Sequence, residues 1–427
     1  MRLLIKNGRV VDPSSGTDET LDILIDQGKI ADIRPKIEEA EGFKVLDVSR
    51  LVVAPGFIDM HAHLREPGQE YKEDIQTASR AAARGGFTSI CAMPNTDPVN
   101  DNRGVTEFIL AEAEKRAAVN IFPIAAITSG LRGEQITDMA DLLDAGAVAF
   151  SDDGRCVQNS LVMRRALEYS DFLQTLIIDH CEDFDLSQDG LMHEGSHSYF
   201  LGLKGIPASA EEVIIARDII LAEAARARIH IAHLSTRGGA RLVEEAKKRK
   251  VKVTAEVTPH HLVLSDDALA NYDTNLKVNP PLRSQKDVQA LLAALKKGVV
   301  DVLATDHAPH TAEEKEVEFD RAPFGINGLE TAVSLLLDRL VNKNVLDLSR
   351  FIEMISTNPA RILGLTNKGR LTVGADADLT ILNLHKETVI DITTFASKSR
   401  NNPFDGWKLK GAPVMTIVAG RVVYPFS

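Results

Sequence analysis

The sequence predicts an α/β protein: a (β/α)8 TIM-type barrel with a small β-sandwich domain formed by both chain ends. Three observations carry this. Strand-like and helix-like stretches alternate eight times through the middle of the chain. Both ends are rich in short strands and turns, and neither is long enough to bury a core alone. The segment Phe57-Ile58-Asp59-Met60-His61-Ala62-His63 ends an apolar stretch in two histidines one residue apart. Alternate residues of a strand share a face, so both imidazoles can aim at one point.

The N-terminal strands are expected at 3–5, 9–11, 23–25, 29–33 and 45–47, punctuated by Gly8, Pro13, Gly16 and Gly28. The C-terminal ones are expected at 369–371, 377–382, 414–418 and 421–424. Asn7-Gly8-Arg9-Val10-Val11 near the start is echoed by Ala419-Gly420-Arg421-Val422-Val423 near the finish. Residues 1–54 and 366–427 are therefore expected to make one composite β domain, split in sequence by a barrel over 55–365.

Within the barrel, strands are expected at 56–61, 89–93, 121–126, 147–151, 176–181, 230–234, 252–257 and 301–305. Helices are expected at 74–84, 105–117, 138–145, 161–172, 210–227, 240–250, 286–297 and 329–341. Glu211-Glu212 opening one helix and Lys247-Lys248-Arg249-Lys250 closing another suit the helix dipole. A doubly wound open sheet is the competing architecture, but no Gly-x-Gly-x-x-Gly follows the first strand.

Composition narrows the function. The 427 residues suffice for one large and one smaller domain, and 44% hydrophobic with 26% charged residues is ordinary for a globular protein. A formal charge of −12 argues against nucleic acid or an anionic membrane as partner. No apolar run approaches the roughly 20 residues a membrane helix needs. The start, Met1-Arg2-Leu3-Leu4-Ile5-Lys6, lacks a signal-peptide pattern. Three scattered cysteines, Cys91, Cys156 and Cys181, fit a reducing compartment, so a cytoplasmic location is expected. Cys181 should face away from its neighbour His180 as a buried thiol.

In a barrel, catalytic groups come from the C-terminal ends of strands. The first strand ends in His61 and His63, the fourth in Ser151-Asp152-Asp153-Gly154, the fifth in Asp179-His180, the sixth in Ala232-His233 and the eighth in Thr305-Asp306-His307. Four histidines and two aspartates thus converge on one mouth. Imidazole and carboxylate donors suit zinc, with manganese, cobalt or iron also accommodated. Six ligands exceed what one tetrahedral zinc uses, so the expectation is two Zn2+ per chain bridged by a carboxylate, rather than one. Asp152 and Asp153 compete for the bridge, since strand neighbours cannot both face inward.

These motifs resemble the amidohydrolase superfamily. The runs His63-Leu64-Arg65-Glu66-Pro67-Gly68, Met93-Pro94-Asn95-Thr96 and Ala304-Thr305-Asp306-His307-Ala308-Pro309-His310 are similar to those of the bacterial class I dihydroorotases, over nearly the whole chain. Many amidohydrolases bridge two metals with a carboxylated lysine on the fourth strand. This chain has none there, as in the class I dihydroorotases, and the resemblance selects Asp153 as the bridge.

The resemblance implies reversible cyclisation of N-carbamoyl-L-aspartate to L-dihydroorotate in pyrimidine synthesis, through a metal-activated water with Asp306 as general acid/base. Dihydroorotate carries a carboxylate, and Arg65 supplies a guanidinium suited to it. Arg65 lies on the face of His63 if the strand continues. The family pattern adds Asn95 and His310 to that clamp, His63 beside it, Asn279 at the ring amide, and the turn containing Phe324 and Gly325 at the ring. His307 is expected to face away, His260 and His261 to shape the pocket wall, and Glu313-Glu314-Lys315-Glu316 to be solvated. A homodimer, or docking with aspartate transcarbamoylase, is implied by the family alone. The competing readings are another cyclic amidase, a hydantoinase or allantoinase, and a non-catalytic partner of aspartate transcarbamoylase.

Overall fold

In the computed structural model, which describes residues 2–425, two large sheets organise the chain. Residues 1, 426 and 427, at the outer edges of the expected composite domain, lie outside the described residues.

The terminal sheet runs in the order Arg421–Tyr424, Lys408–Val418, Leu379–Val389, Val52–Pro55, Arg2–Asp12, Thr17–Asp26 and Lys29–Arg34, with Phe43–Asp47 also paired to Arg2–Asp12. The two chain ends meet at Val52–Pro55. This strand runs parallel to the first and antiparallel to Leu379–Val389, with Val53 opposite Ile381. Leu3, Ile5, Val10, Ile23, Ile25, Val53, Leu379, Ile381 and Ile417 bury into one shared core, the sandwich arrangement that neither end could build alone. The segment 369–371 is a turn rather than the expected strand. Leu371 is apolar because it packs in that core, and its N–H donates to the Asp12 carboxylate (2.9 Å) instead of to a ladder. The echoed motif takes two forms: Ala419-Gly420 turns a hairpin, whereas Asn7-Gly8 sits at a register shift within one strand.

Gly56 links this sheet to the barrel. A Cβ there would lie 2.2 Å from the Thr88 hydroxyl, so only glycine passes. The barrel strands are Phe57–Ala62, Phe87–Ala92, Asn120–Ala125, Ala149–Ser151, Ile177–Asp179, Ile229–Ile231, Val253–Val257 and Val302–Leu303, parallel and in chain order. The ring closes where Ala62 bridges His307 and the His63 N–H donates to the His307 carbonyl (2.8 Å). Eight strands were expected and eight are present, most of them short.

The helices fall where the 3.6-residue period puts them. Asp74 opens Ile75–Gly85 with a capping box to Thr77, and Thr236 caps Arg237–Lys248. The helix expected over 329–341 is an α-helix only over Ala332–Leu336 and continues as a wider turn over Leu337–Val341. Glu211 does not serve the dipole at the surface. It is buried, and its carboxylate accepts the N–H groups of Ser235 and Thr236, fixing the loop after the sixth strand. No helix among the described residues is long and apolar enough to cross a membrane.

Candidate metal centre and active site

The side chains at and just beyond the strand ends converge on one mouth, although only His61 of the six lies within its strand. His61 Nε2 lies 3.2 Å from Asp153 Oδ1 and 3.5 Å from Asp306 Oδ1, and His63 Nε2 lies 3.4 Å from Asp153 Oδ2 and 3.3 Å from Asp306 Oδ1. On the other side of Asp153, His180 Nδ1 and His233 Nε2 stand 2.8 Å apart, at 3.7 and 3.5 Å from Asp153 Oδ1. The six side chains thus form two groups that share Asp153. His61 Nε2 and Asp153 Oδ1 are buried with no well-directed hydrogen bond despite their proximity. Polar atoms gathered at such distances without satisfying one another fit a cation as their common partner.

Asp152 faces the opposite way. Its Oδ1 accepts the N–H groups of Ile127 (2.8 Å) and Thr128 (3.0 Å), and its Oδ2 the Thr128 hydroxyl. Burial pushes its carboxyl up to about 6 against those bonds. Two of the strand ends carry backbone strain: His233 has φ 28° and Asp306 φ 48°. Non-glycine residues seldom adopt positive φ, and here it turns both side chains toward the centre. The peptide of His233 is held by its N–H donating to Glu256 Oε1 (3.2 Å).

The electrostatics of the cluster favour positive charge. Burial works against a charged His61, yet Asp153, Glu256 and Asp306 outweigh it and hold the imidazole well above its ordinary value. His180 is raised to about 10, with burial opposed by Asp153 and Glu182. Asp306 is held well below the usual carboxylate range, since His61 and its histidine neighbours overcome the cost of burial. A metal takes only the deprotonated imidazoles, so loading the free protein displaces these protons. Affinity should therefore rise with pH up to about 10, on the order of tenfold per pH unit for each displaced proton. Zinc competition against a chelator between pH 6 and 8 checks the sign, and a flat profile contradicts it.

Sequence reasoning missed Glu256. On the seventh strand, its Oε1 accepts from His61 Nδ1 (2.6 Å) and its Oε2 pairs with His230 Nε2 (3.2 Å). The signal was there: a lone carboxylate inside the strand Val253-Thr254-Ala255-Glu256-Val257. By fixing the far nitrogen, Glu256 leaves His61 Nε2 free to act as a donor. Glu256→Gln should weaken metal affinity by about 10- to 100-fold with the fold intact, as measured by metal titration and circular dichroism. Glu182 was missed too. It accepts from His180 Nε2 (3.0 Å) and from Asn279 Nδ2 (2.8 Å), and is held down to about 2 as these partners outweigh its burial.

The remaining expected residues line one cavity of about 480 Å3 with the cluster: Arg65, Asn95, Asn279, His310, Phe324 and Gly325. The first strand ends at Ala62, so Arg65 does not reach the mouth by strand alternation. A left-handed turn (φ 63°) delivers it, its Nε donating to the Pro309 carbonyl (3.2 Å) and its terminal nitrogen 3.5 Å from His310 Nε2. Glu66 pairs with Arg116 instead. Asn95 Oδ1 accepts from His63 Nδ1 (2.8 Å) and orients that imidazole. His310 is set between Glu314 (3.1 Å) and the Phe324 carbonyl (2.9 Å). Burial and the Arg65 charge push it down to about 3, so Arg65 carries the positive charge of the pair.

Two expectations need correction. Glu314 is not simply solvated, because it holds His310 and Lys72, and Lys315 is buried with its ammonium on the Thr274 and Pro323 carbonyls. His260 and His261 are buried but line no part of this cavity, and His261 is tied to Thr258 and the Pro280 carbonyl. A further cluster, Asp179, Cys181 and Asp218, lies on the other face of the fifth strand and is braced by Arg217, 2.7 Å from Asp218 Oδ1. Cys181 faces this cluster, as alternation requires, while His307 is buried toward Glu73.

A parallel eight-stranded barrel with a histidine–aspartate cluster at its mouth is a scaffold suited to metal-assisted chemistry, and its relatives place it among the amidohydrolases. A family model described as Dihydro-orotase-like matches residues 49–239, and one described as Amidohydrolase family matches 215–424. The chain is 56% identical to a dihydroorotase of Pelotomaculum thermopropionicum, covering 99% of this chain and 98% of that one. It is 51% identical to the dihydroorotase of Syntrophus aciditrophicus, at 99% of both chains. Among solved structures, the L-hydantoinase of Arthrobacter aurescens superposes with a TM-score of 0.89 at 28% identity, covering 98% of this chain and 95% of that one. A dihydropyrimidinase of Brevibacillus agri superposes with a TM-score of 0.85 at 25% identity, covering 99% and 95%. The chain belongs to the dihydroorotase family of the amidohydrolases, a metal-dependent family, and its histidine–aspartate clusters are of a kind that binds metal.

Proposed function

We propose that this chain is a dihydroorotase, converting N-carbamoyl-L-aspartate and L-dihydroorotate into one another. The observation that carries the reading is the buried Arg65, with His310 beside it and Asn95 across the same cavity, next to the metal-type cluster. A ring that bears a carboxylate needs a fixed cation there, whereas an uncharged hydantoin ring leaves it desolvated and unpaired.

His61, His63, Asp153, His180, His233 and Asp306 are the residues that would hold the metal; the donor set would suit zinc, and its six donors would suffice for two ions per chain, with Asp153 the side chain both donor groups share. When bound, the metal supplies Lewis-acid polarisation of the amide carbonyl and a water of lowered pKa. Asp306 starts ionised. In hydrolysis it accepts the proton of the attacking water and passes it to the ring nitrogen as the C–N bond breaks. In cyclisation it takes that proton from the carbamoyl nitrogen and delivers it to the departing oxygen. Arg65, Asn95 and His310 hold the substrate carboxylate, Asn279 meets the ring amide, and the backbone at Phe324 and Gly325 borders the ring. The same reading gives a cytoplasmic enzyme, in keeping with three buried unpaired cysteines. Its partners would be a second copy or aspartate transcarbamoylase, and residues 1–54 and 366–427 would form an accessory domain.

Parallel assays on dihydroorotate, hydantoin and allantoin test the proposal. Turnover of dihydroorotate is expected, and turnover of hydantoin alone refutes it. Arg65→Gln should raise the KM for dihydroorotate by about 100-fold while metal content stays unchanged.

A further inference from the structure

Segment 397–402 belongs to the connection between two strands of the terminal sheet, Leu379–Val389 and Lys408–Val418, yet Ser397, Ser399, Asn401 and Asn402 are buried against the barrel mouth. Asn401, 3% exposed, makes the central contacts. Its Nδ2 donates to the carbonyls of Ala308 and Gly325, both at 3.0 Å, and its Oδ1 accepts the N–H of His310 (3.2 Å). The Asn401 carbonyl accepts the N–H of Asn327 (2.9 Å). Ser399 supports the same point, its hydroxyl donating to the His310 carbonyl (2.8 Å). One side-chain amide therefore joins the two stretches, 308–310 and 324–325, that border the substrate cavity. There is no slack between them. Gly325 has φ 142°, and a Cβ on it would lie 2.8 Å from Ala308 Cβ.

We propose that Asn401, supplied by the terminal β segment, is a positioning residue: it sets the distance between His310 and the Phe324-Gly325 turn, and so the fit of the substrate. This rests on the dihydroorotase reading above. A planar amide is suited to the task because it offers two donors and an acceptor from one rigid group. Alanine leaves two buried carbonyls without partners and takes one of two acceptors from the His310 N–H, which keeps the Ser399 hydroxyl (3.1 Å); this favours separation of the two stretches. A displacement of about 1 Å is enough to cost up to about 100-fold. Since the clamp holds the carboxylate before and during the reaction alike, the loss falls on KM rather than kcat.

Steady-state kinetics with L-dihydroorotate on the wild type, Asn401→Ala, Ser399→Ala, His310→Ala and the Asn401→Ala/His310→Ala double variant test this, with metal content and unfolding midpoint measured for each. The expected result is a KM raised about tenfold in Asn401→Ala, with kcat within about threefold of wild type and metal retained. The double variant should be no more than about threefold worse than His310→Ala, because Asn401 acts through that residue. Ser399→Ala should shift KM in the same direction by less, and it decides the matter if Asn401→Ala does not fold. A wild-type KM in the folded variants, or fully multiplicative effects in the double variant, overturns the proposal. A metal-loaded wild type silent on dihydroorotate refutes the functional reading, and this inference with it, a result distinct from a KM that does not move.

Discussion

Asp153→Ala is expected to lose metal and turnover together while the barrel remains folded. Asp153 is the side chain both donor groups share, within 3.2 to 3.7 Å of His61, His63, His180 and His233. Removing it leaves Asp306 beside His61 and His63 but no carboxylate joining that pair to His180 and His233. A metal's contribution to the transition state is worth several kcal/mol, so turnover should fall by about 1,000-fold or more. The neighbouring Asp152→Ala should do the reverse. It strips the acceptor from two buried N–H groups and a hydroxyl at Ile127 and Thr128, costing about 3 kcal/mol of stability, with metal content kept. Metal analysis and thermal unfolding of the two variants, side by side, separate the roles. Equal metal loss in both would contradict the assignment.

Asp306→Asn should reduce kcat by about 100- to 10,000-fold, the range of general acid–base catalysis, with a smaller loss of metal than Asp153→Ala. Asparagine keeps an oxygen donor in place but cannot accept a proton at neutral pH. The carboxylate is held ionised because His61 and its neighbours outweigh its burial, so it is ready as a base across the working range. If the loss is in the chemical step, kcat and kcat/KM fall together. A variant that fails only in KM would assign Asp306 to binding alone.

The barrel was legible because its strands are apolar runs separated by helices of clear period, and the positions of the functional side chains follow from where such strands end. The inward-facing carboxylate of the fourth strand was legible only in part: alternation says that Asp152 or Asp153 faces inward, not which. Pairing across long sequence gaps leaves no local trace. Val52–Pro55 is not among the expected strands: one of its two partners, Leu379–Leu382, lies over 300 residues away in sequence. Glu256 and Glu182 act through other side chains, and a single glutamate in a strand or after a histidine carries no spacing motif. Arg65 was found on a premise that failed, since the strand stops before it and a left-handed turn takes over. Segment 397–402 escaped notice because serine and asparagine between strands read as an ordinary turn. Only the fold shows that turn pressed against the mouth.

The most direct test of the account is an anomalous-scattering map at the zinc edge, from crystals of protein purified without chelator. Density is expected between His61, His63, Asp153 and Asp306, with a second peak beside Asp153, His180 and His233. A mouth without a peak, or a peak only at the Asp179, Cys181 and Asp218 cluster, would contradict it.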